Sequence, residues 1–449
     1  MSKLAKFLNP RGDLFATGAS FVAQTFIKLC SSLILTRLLD PSQYGIIALL
    51  MSIVFILLML SDLGFTLCIV RDENGEQQSY LNTAWTIRIG RAVFHAAFIL
   101  VFAPYIAKLY AAPALTLPLR VLSLWFLIDG LESTSFPVAI RRKQSRLFMW
   151  SEVAGTAVST VVTVTYCYFS RDYWGMVWGT IASRLTAVTI SHFIYPEIRP
   201  RLGWDRAAAR QIFSYTRFVM PSSILTLLTN QWDKAVFLRF FDLRLLGVYS
   251  LANNIASPIE GLITKASRMV LYPRCAHNFR LDKQTFTLKY YLENTKLFAA
   301  VLLIPAAAGG AARLLISSLY DPRYAAAAGV LTAFMFRAAL LALASPAEDM
   351  LFATGETSII LTGNVYRAIW LVIGSLVGYR LFGFTGFVYG IALSGLPPLV
   401  YYLRLQAKKK LMIARYELYK VAFLCGVAAC AWLGSRLVLI LAPGLRIHV

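Results

Sequence analysis

Asn230-Gln231-Trp232-Asp233-Lys234 opens, and Met269-Val270-Leu271-Tyr272-Pro273 closes, the stretch whose reading decides the fold. Between them two apolar segments flank a short turn, Phe240-Phe241-Asp242-Leu243-Arg244, so residues 230–273 read as one hairpin of membrane helices. Each arm nevertheless carries ionisable side chains: Asp233, Lys234, Glu260, Lys265 and Arg268. Such a group well inside a bilayer costs at least about 2.5 kcal/mol, and it normally faces a partner or a water-filled cavity. The hairpin is therefore expected to line a pathway.

Outward from this hairpin the chain stays apolar. Its 449 residues are 58% hydrophobic with a formal charge of +22, and the mean hydropathy is +0.62. These values belong to a polytopic membrane protein and leave no room for a large water-soluble domain. Windows of about 20 apolar residues predict spans over 14–38, 45–68, 83–109, 117–140, 148–169 and 174–196 in the first half. The second half reads 212–240, 245–272, 290–317, 324–352, 357–381 and 384–405, with a thirteenth span over 419–441. The first apolar run is too long for a secretory signal core and contains Lys28, which argues against cleavage. Residues 1–9, with Leu4, Phe7 and Leu8 set against Lys3 and Lys6, read equally as a short interfacial helix or as a frayed end.

The loop charges set the orientation. Arg141, Arg142, Lys143 and Arg146, then Arg199, Arg201, Arg206 and Arg210, then Arg274, Arg280 and Lys283, then Lys408, Lys409, Lys410 and Arg415 fall on one side. The opposite loops hold little more than Arg37, Lys108, Arg171, Arg244, Arg323 and Arg380. By the positive-inside rule the N-terminus is cytoplasmic. The same dispersal excludes nucleic acid as the partner of the positive charge, because no single folded face gathers it.

An internal repeat divides the chain. Arg37-x-x-Asp40 with Gly45 recurs 202 residues on (239 − 37) as Arg239-x-x-Asp242 with Gly247, closing the first hairpin of each six-helix half. An even number of spans per half makes the halves parallel repeats about an axis along the membrane normal. The expected organisation is a six-helix lobe over 1–205, a second over 206–411, and an additional transmembrane helix within 412–449.

Charges nearest mid-membrane are Lys28, Asp129, Glu132, Arg184, Asp233, Glu260, Arg337 and Arg367. Pairing of Asp129 or Glu132 with Arg184 is the structural reading of part of this set. Asp62, Arg88, Arg91, Lys265, Arg268, Glu348 and Asp349 lie nearer the cytoplasmic edge, where long side chains snorkel. What remains is a cavity with an excess of cations, suited to an anionic cargo such as a diphosphate, since Arg offers a bidentate fork and Lys a point charge. Trp232 is placed to stack on a sugar ring. Pro221 and Pro258 are expected to bend the two arms, and Asn253, Asn254 and Glu260 mark a place for a coupling cation, H+ or Na+, or a hinge.

No P-loop, GxGxxG, HExxH or Ser/His/Asp arrangement occurs, and His95, His192, His277 and His448 are scattered. The six cysteines show no CxxC spacing. These absences argue against ATP-driven transport, a metal centre and an enzyme, and the connectors are too brief to hold a glycosyltransferase or polymerase active site.

Arg37-Leu-Leu-Asp40-Pro41-x-x-Tyr44-Gly45, Ser61-Asp62-Leu63-Gly64, Asp233-Lys234 followed by Leu246-Gly247-Val248-Tyr249-Ser250-Leu251-Ala252, and Val270-Leu271-Tyr272-Pro273 together resemble the Wzx-like polysaccharide flippases of the multidrug/oligosaccharidyl-lipid/polysaccharide exporter superfamily. The resemblance covers essentially the whole chain. It implies an all-α polytopic membrane protein with two six-helix lobes in a V around a cationic central cavity. It also implies translocation of an undecaprenyl-diphosphate-linked glycan across the bacterial inner membrane for exopolysaccharide, capsule or O-antigen, alongside glycosyltransferases and a polymerase. Family members often have fourteen spans, against about thirteen here. In that scheme Lys28, Lys234, Lys265, Arg268, Arg337, Arg367 and Trp232 bind cargo, while Asp233, Glu260 and Asn253 tune those cations or bind the coupling ion. The rival within the superfamily is a multidrug or cation exporter, which calls for the opposite balance of charge.

Overall fold

The structure, a computed structural model, describes residues 10–61, 64–142, 144, 146–195, 197–282, 285–356 and 358–441. The segment 1–9, read as an interfacial helix or a frayed end, and the charges Asp62 and Lys143 lie outside these residues, as do the side chains of Pro221 and Arg239. Among the described residues every regular element is helical. The first half comprises α1 (Pro10–Leu38), α2 (Pro41–Leu60), α3 (Phe65–Arg71), α4 (Gln78–Leu109), α5 (Thr116–Gly130), α6 (Ser135–Arg141), α7 (Arg146–Ser170) and α8 (Trp174–Ile194). Then come α9 (Arg206–Phe240), α10 (Leu243–Ala266), α11 (Tyr272–Leu281), α12 (Phe286–Gly310), α13 (Ala312–Leu319), α14 (Ala327–Ala353), α15 (Ser358–Ala392), α16 (Leu396–Lys408) and α17 (Ala414–Leu441).

Nine helical stretches among the described residues are long and apolar enough to cross a bilayer. One of them, Ser358–Lys408, contains two of the expected spans, because Phe382 (φ −135°, ψ 16°) and Gly383 (φ 60°, ψ −135°) break α15 into two arms. Those arms touch backbone to backbone. A Cβ on Gly378 would lie 2.1 Å from the Gly386 carbonyl oxygen, and one on Gly390 2.2 Å from that of Gly374, the small-residue contact that lets membrane helices pack closely. The expected spans absent from the nine are α8, α9 and α10. For α10 the reason is its polar content, with Arg244, Asn253, Asn254, Glu260 and Lys265 in one helix; α9 includes side chains that lie outside the described residues.

Two expected spans of the first half are divided, as is the one over 290–317, which breaks at Ala311 between α12 and α13. The one over 45–68 stops at Leu60 and resumes as α3 after Gly64, whose left-handed backbone (φ 65°) glycine adopts at no steric cost. The one over 117–140 breaks at Leu131–Thr134, and Glu132 sits in the break. The backbone freed there is held from the side: Ser133 N–H donates to Ser191 Oγ at 3.0 Å.

The repeated motif is a corner between helices. Arg37 lies in the last turn of α1, where a cation opposes the helix dipole. Asp40 precedes α2, and its N–H donates to Gln43 Oε1 at 3.2 Å. In the second copy Asp242 caps α10 by accepting from Leu245 N–H at 2.8 Å. Such N-caps are worth about 1 kcal/mol each, and Gly45 and Gly247 are both buried behind them.

The chain forms two compact units, Met1–Leu227 and Leu228–Val449. The boundary between these units falls inside α9. The first turns of α9, through Ala208, Ala209 and Ile212, pack with Cys68, Ile69, Leu81 and Val138 in the first unit. In the second, α10, α12, α14, α15 and α16 share a core of Ile263, Leu302, Leu343, Leu351, Ile359 and Tyr402. The thirteenth span, α17, packs within this unit. A Cβ on Gly310 of α12 would lie 2.4 Å from the Ala428 carbonyl oxygen, and Lys420 Nζ, bonded to Glu417 at 2.7 Å, sits 4.2 Å over the Phe298 ring.

Candidate functional site

Helical spacing gathers polar residues inside the second unit. On α10, Tyr249, Asn253, Ser257 and Glu260 follow one another at three- or four-residue steps and so share a face. Arg337 and Glu348 stand on one face of α14, and Arg367 and Leu371 on one face of α15. Asn230, Asp233 and Lys234 come from the end of α9. These faces enclose a cavity of about 210 Å³, lined among others by Asn230, Asp233, Lys234, Asn253, Glu260, Arg337 and Arg367. A single water needs roughly 10–15 Å³, so the space admits a solvated ion or a phosphate-sized group. A smaller cavity of about 50 Å³ shares Glu260, Arg337 and Arg367 as its wall and reaches Glu348, Gly363, Asn364 and Tyr402.

The charges in the larger cavity differ in how they are held. Asp233 is buried, and its carboxylate accepts a hydrogen bond from the Tyr249 hydroxyl. Arg337 Nε donates to Glu260 Oε1 at 2.7 Å, and Arg337 Nη2 donates to Asn253 Oδ1 at 3.2 Å, with the guanidinium 4.4 Å from the Phe334 ring. Arg367 Nε is buried without a hydrogen-bond partner. No carboxylate among the described residues lies within ion-pair distance of Arg367 or Lys234. Lys234, Arg337 and Arg367 against Asp233 and Glu260 leave one positive charge uncompensated. A low-dielectric wall tolerates such a charge only beside water or a counter-anion.

Other candidates are placed elsewhere. Arg268, in a single turn of π-helix over Ser267–Leu271, is committed to Glu348 Oε1 at 2.5 Å and Asp349 Oδ1 at 3.2 Å. Ser267 donates to Asp349 at 2.5 Å, and Tyr402 donates to Glu348 at 3.2 Å. Lys265 lies outside the cavity lining. Trp232 is half-buried, donates from Nε1 to Ser375 Oγ at 3.2 Å, and is not among the residues lining the larger cavity. Lys28 belongs to the first unit, at an exposed position of α1. Gly363 escapes sequence reasoning altogether: a Cβ there would lie 1.9 Å from the Tyr402 hydroxyl, so the glycine makes room for the Tyr402–Glu348 contact.

The first unit has an equally charged cluster of different character. Arg184 Nη2 reaches Asp129 Oδ1 at 2.6 Å and Glu132 Oε2 at 2.8 Å, the pairing expected from the sequence. Arg88 contacts both carboxylates, and Arg91 Nη2 lies 3.9 Å from Asp129. Three cations close on two acids, and each arginine has at least one carboxylate. This cluster reads as structural, whereas the cavity of the second unit keeps cations in reserve.

Comparison with known proteins places the chain. Residues 34–328, more than half of it, match the family model described as "Polysaccharide biosynthesis protein". The chain belongs to that family. This polysaccharide biosynthesis protein is 24% identical over 248 residues to the succinoglycan biosynthesis transport protein ExoT of Rhizobium meliloti (strain 1021), a match covering 55% of the chain and 50% of that relative. It is 20% identical over 385 residues to the lipopolysaccharide biosynthesis protein WzxC of Escherichia coli (strain K12), covering 82% and 74%. The chain thus spans about half the length of the first relative. Its fold is that of the lipid II flippase MurJ in an inward closed conformation, with TM-score 0.68, 11% identity and 96% and 99% coverage. It is likewise that of an inward-facing multidrug resistance MATE family transporter of the MOP superfamily, with TM-score 0.68, 14% identity and 86% and 96% coverage. The polysaccharide biosynthesis protein is therefore an all-helical, multi-pass membrane protein with a transporter fold.

Proposed function

We propose that this polysaccharide biosynthesis protein is a flippase that moves an undecaprenyl-diphosphate-linked oligosaccharide across the bacterial cytoplasmic membrane by alternating access, for exopolysaccharide, capsule or O-antigen export. The observation that carries the reading is the cavity of the second unit, where Lys234 and Arg367 stand without carboxylate partners beside the Arg337–Glu260 pair. Diphosphates and acidic sugars are the cargo groups such cations attract, by charge-assisted and bidentate hydrogen bonds. Asp233, Glu260 and Asn253 set how strongly those cations bind. The polyprenyl tail stays in lipid, the N-terminus faces the cytoplasm, and glycosyltransferases and a polymerase supply and consume the glycan. Membership of the family and the names of its relatives support this reading.

Multidrug export has the MATE fold in its favour. The leftover positive charge argues against it, because a hydrophobic cation entering the cavity meets Arg367 and Lys234 unneutralised.

The test is flipping of a defined fluorescent lipid-linked glycan in vesicles containing the purified chain. Lys234→Ala and Arg337→Ala are expected to lower the rate at equal protein level. Unchanged rates in both, or transport of organic cations with no glycolipid flipping, would overturn the proposal.

A further inference from the structure

Arg337 has a partner that the other cavity cations lack. Its Nε holds Glu260 Oε1 at 2.7 Å, yet both side chains line the 210 Å³ cavity beside the unpartnered Nε of Arg367. An anion drawn in by Lys234 and Arg367 arrives next to a carboxylate already occupying the third cation. Like charges at that range repel, and the Nε/Nη2 edge of the guanidinium is already spent on Glu260 and Asn253, so an anion that takes this edge bidentately must displace the carboxylate.

We propose that Glu260 and the cargo's anionic group are alternative partners of Arg337, so that anion binding in this cavity draws a proton onto Glu260. The Arg337 N–H donor passes from the carboxylate to the anion, and the released carboxylate takes up one proton from bulk solvent: an O–H bond forms on Glu260, one breaks in hydronium, and water is left. Protonation in advance has the same effect. It leaves Arg337 free and the cavity with one more uncompensated positive charge, so acid and anion reinforce each other's binding. The inference rests on the proposed function only for the identity of the cargo; the linkage itself belongs to the cavity.

The surroundings of Glu260 favour this assignment. From α14 it faces Arg337 and, across the smaller cavity, Glu348; from α15, Arg367; from α9, Asp233 and Lys234; from α16, Tyr402. On its own helix, Asn253 shares Arg337, and Tyr249 is tied to Asp233. Helix α12 also packs against α10 and lends no ionisable side chain to either cavity. Asp233 and Glu348 already accept hydrogen bonds from tyrosine hydroxyls, Glu348 is further held by Arg268, and neither is paired with Arg337. Glu260 is the carboxylate whose partner an anion would take.

Sulfate is the probe, because it remains a dianion across the working range and reports no titration of its own. The full chain in lipid nanodiscs is assayed for binding of radiolabelled sulfate at two pH values, one mildly acidic and one mildly alkaline. The wild type is expected to bind about tenfold more tightly in acid, the worth of one released charge-assisted hydrogen bond. Glu260→Gln is expected to bind equally at both pH values, near the wild-type acid affinity. Glu260→Asp, which keeps a titratable group, retains a pH dependence and shows that the effect is one of protonation and not of packing. A Glu260→Gln protein with the wild-type pH dependence, or a wild type with none, would overturn the linkage. Either result leaves glycolipid flipping untouched. Failure of every form to bind sulfate at either pH would overturn the linkage and the anion site together.

Discussion

Arg367→Gln separates a functional charge from a structural one. Arg367 lines both cavities, its Nε has no hydrogen-bond partner, and no carboxylate among the described residues pairs with it. An arginine at the centre of a membrane helix costs about 2.5–3.5 kcal/mol. Water in the cavity recovers part of that, leaving roughly 1–2 kcal/mol of net strain that the substitution removes. Arg184→Gln is the counterpart. Arg184 contacts Asp129 and Glu132 at 2.6 and 2.8 Å, and its loss strips one cation from two buried carboxylates, a change worth about 3–5 kcal/mol. Thermal unfolding of the three purified proteins in one detergent, without cargo, gives the comparison. Arg367→Gln is expected to melt above the wild type and Arg184→Gln well below it. In the flipping assay Arg367→Gln is expected to be slow despite its greater stability, as when a site stores strain for its ligand. If Arg367→Gln melts as low as Arg184→Gln, or flips glycolipid at the wild-type rate, Arg367 serves the fold and the cavity argument is refuted.

Other outcomes follow from local geometry. Gly378→Ala, which in an ordinary helix gains about 1 kcal/mol, is expected to lose about 2 kcal/mol or more, because its Cβ would lie 2.1 Å from the Gly386 carbonyl oxygen; Gly434→Ala, with no atom within 4 Å, is the control, and unfolding measurements on both decide the point. Arg142 holds the Glu76 carboxyl below its usual value of 4.5 through a hydrogen bond, Arg142 Nη2 to Glu76 Oε2 at 2.8 Å. The stabilisation is therefore complete above about pH 4.5 and disappears as the pH falls through the lowered value. Hydrogen exchange in the loop that joins α3 to α4 is expected to rise on that acid side, and Glu76→Gln is expected to remove the pH step.

Much of the molecule is written in local sequence. Apolar length and the breaks between runs place the spans, since a bilayer admits only helices whose backbone groups are satisfied within the segment. The Arg-x-x-Asp repeat is legible for an equally local reason, because Asp40 and Asp242 sit where a helix begins. The division of the eleventh and twelfth spans at Phe382–Gly383 follows from a glycine in left-handed backbone. The family resemblance, too, needs only short motifs.

The partition of the charges does not follow from local sequence. Lys265, Arg268, Arg337 and Arg367 look alike as cations in apolar helices, yet Arg268 is claimed by Glu348 and Asp349 from α14, 80 residues along the chain. Arg337 is claimed by Glu260, 77 residues away, while Arg367 is left with an unpartnered nitrogen. Hydropathy fixes the depth of a charge in the bilayer. Whether that charge is spent on the fold or held for a ligand depends on which helix faces it, and only packing in three dimensions decides that.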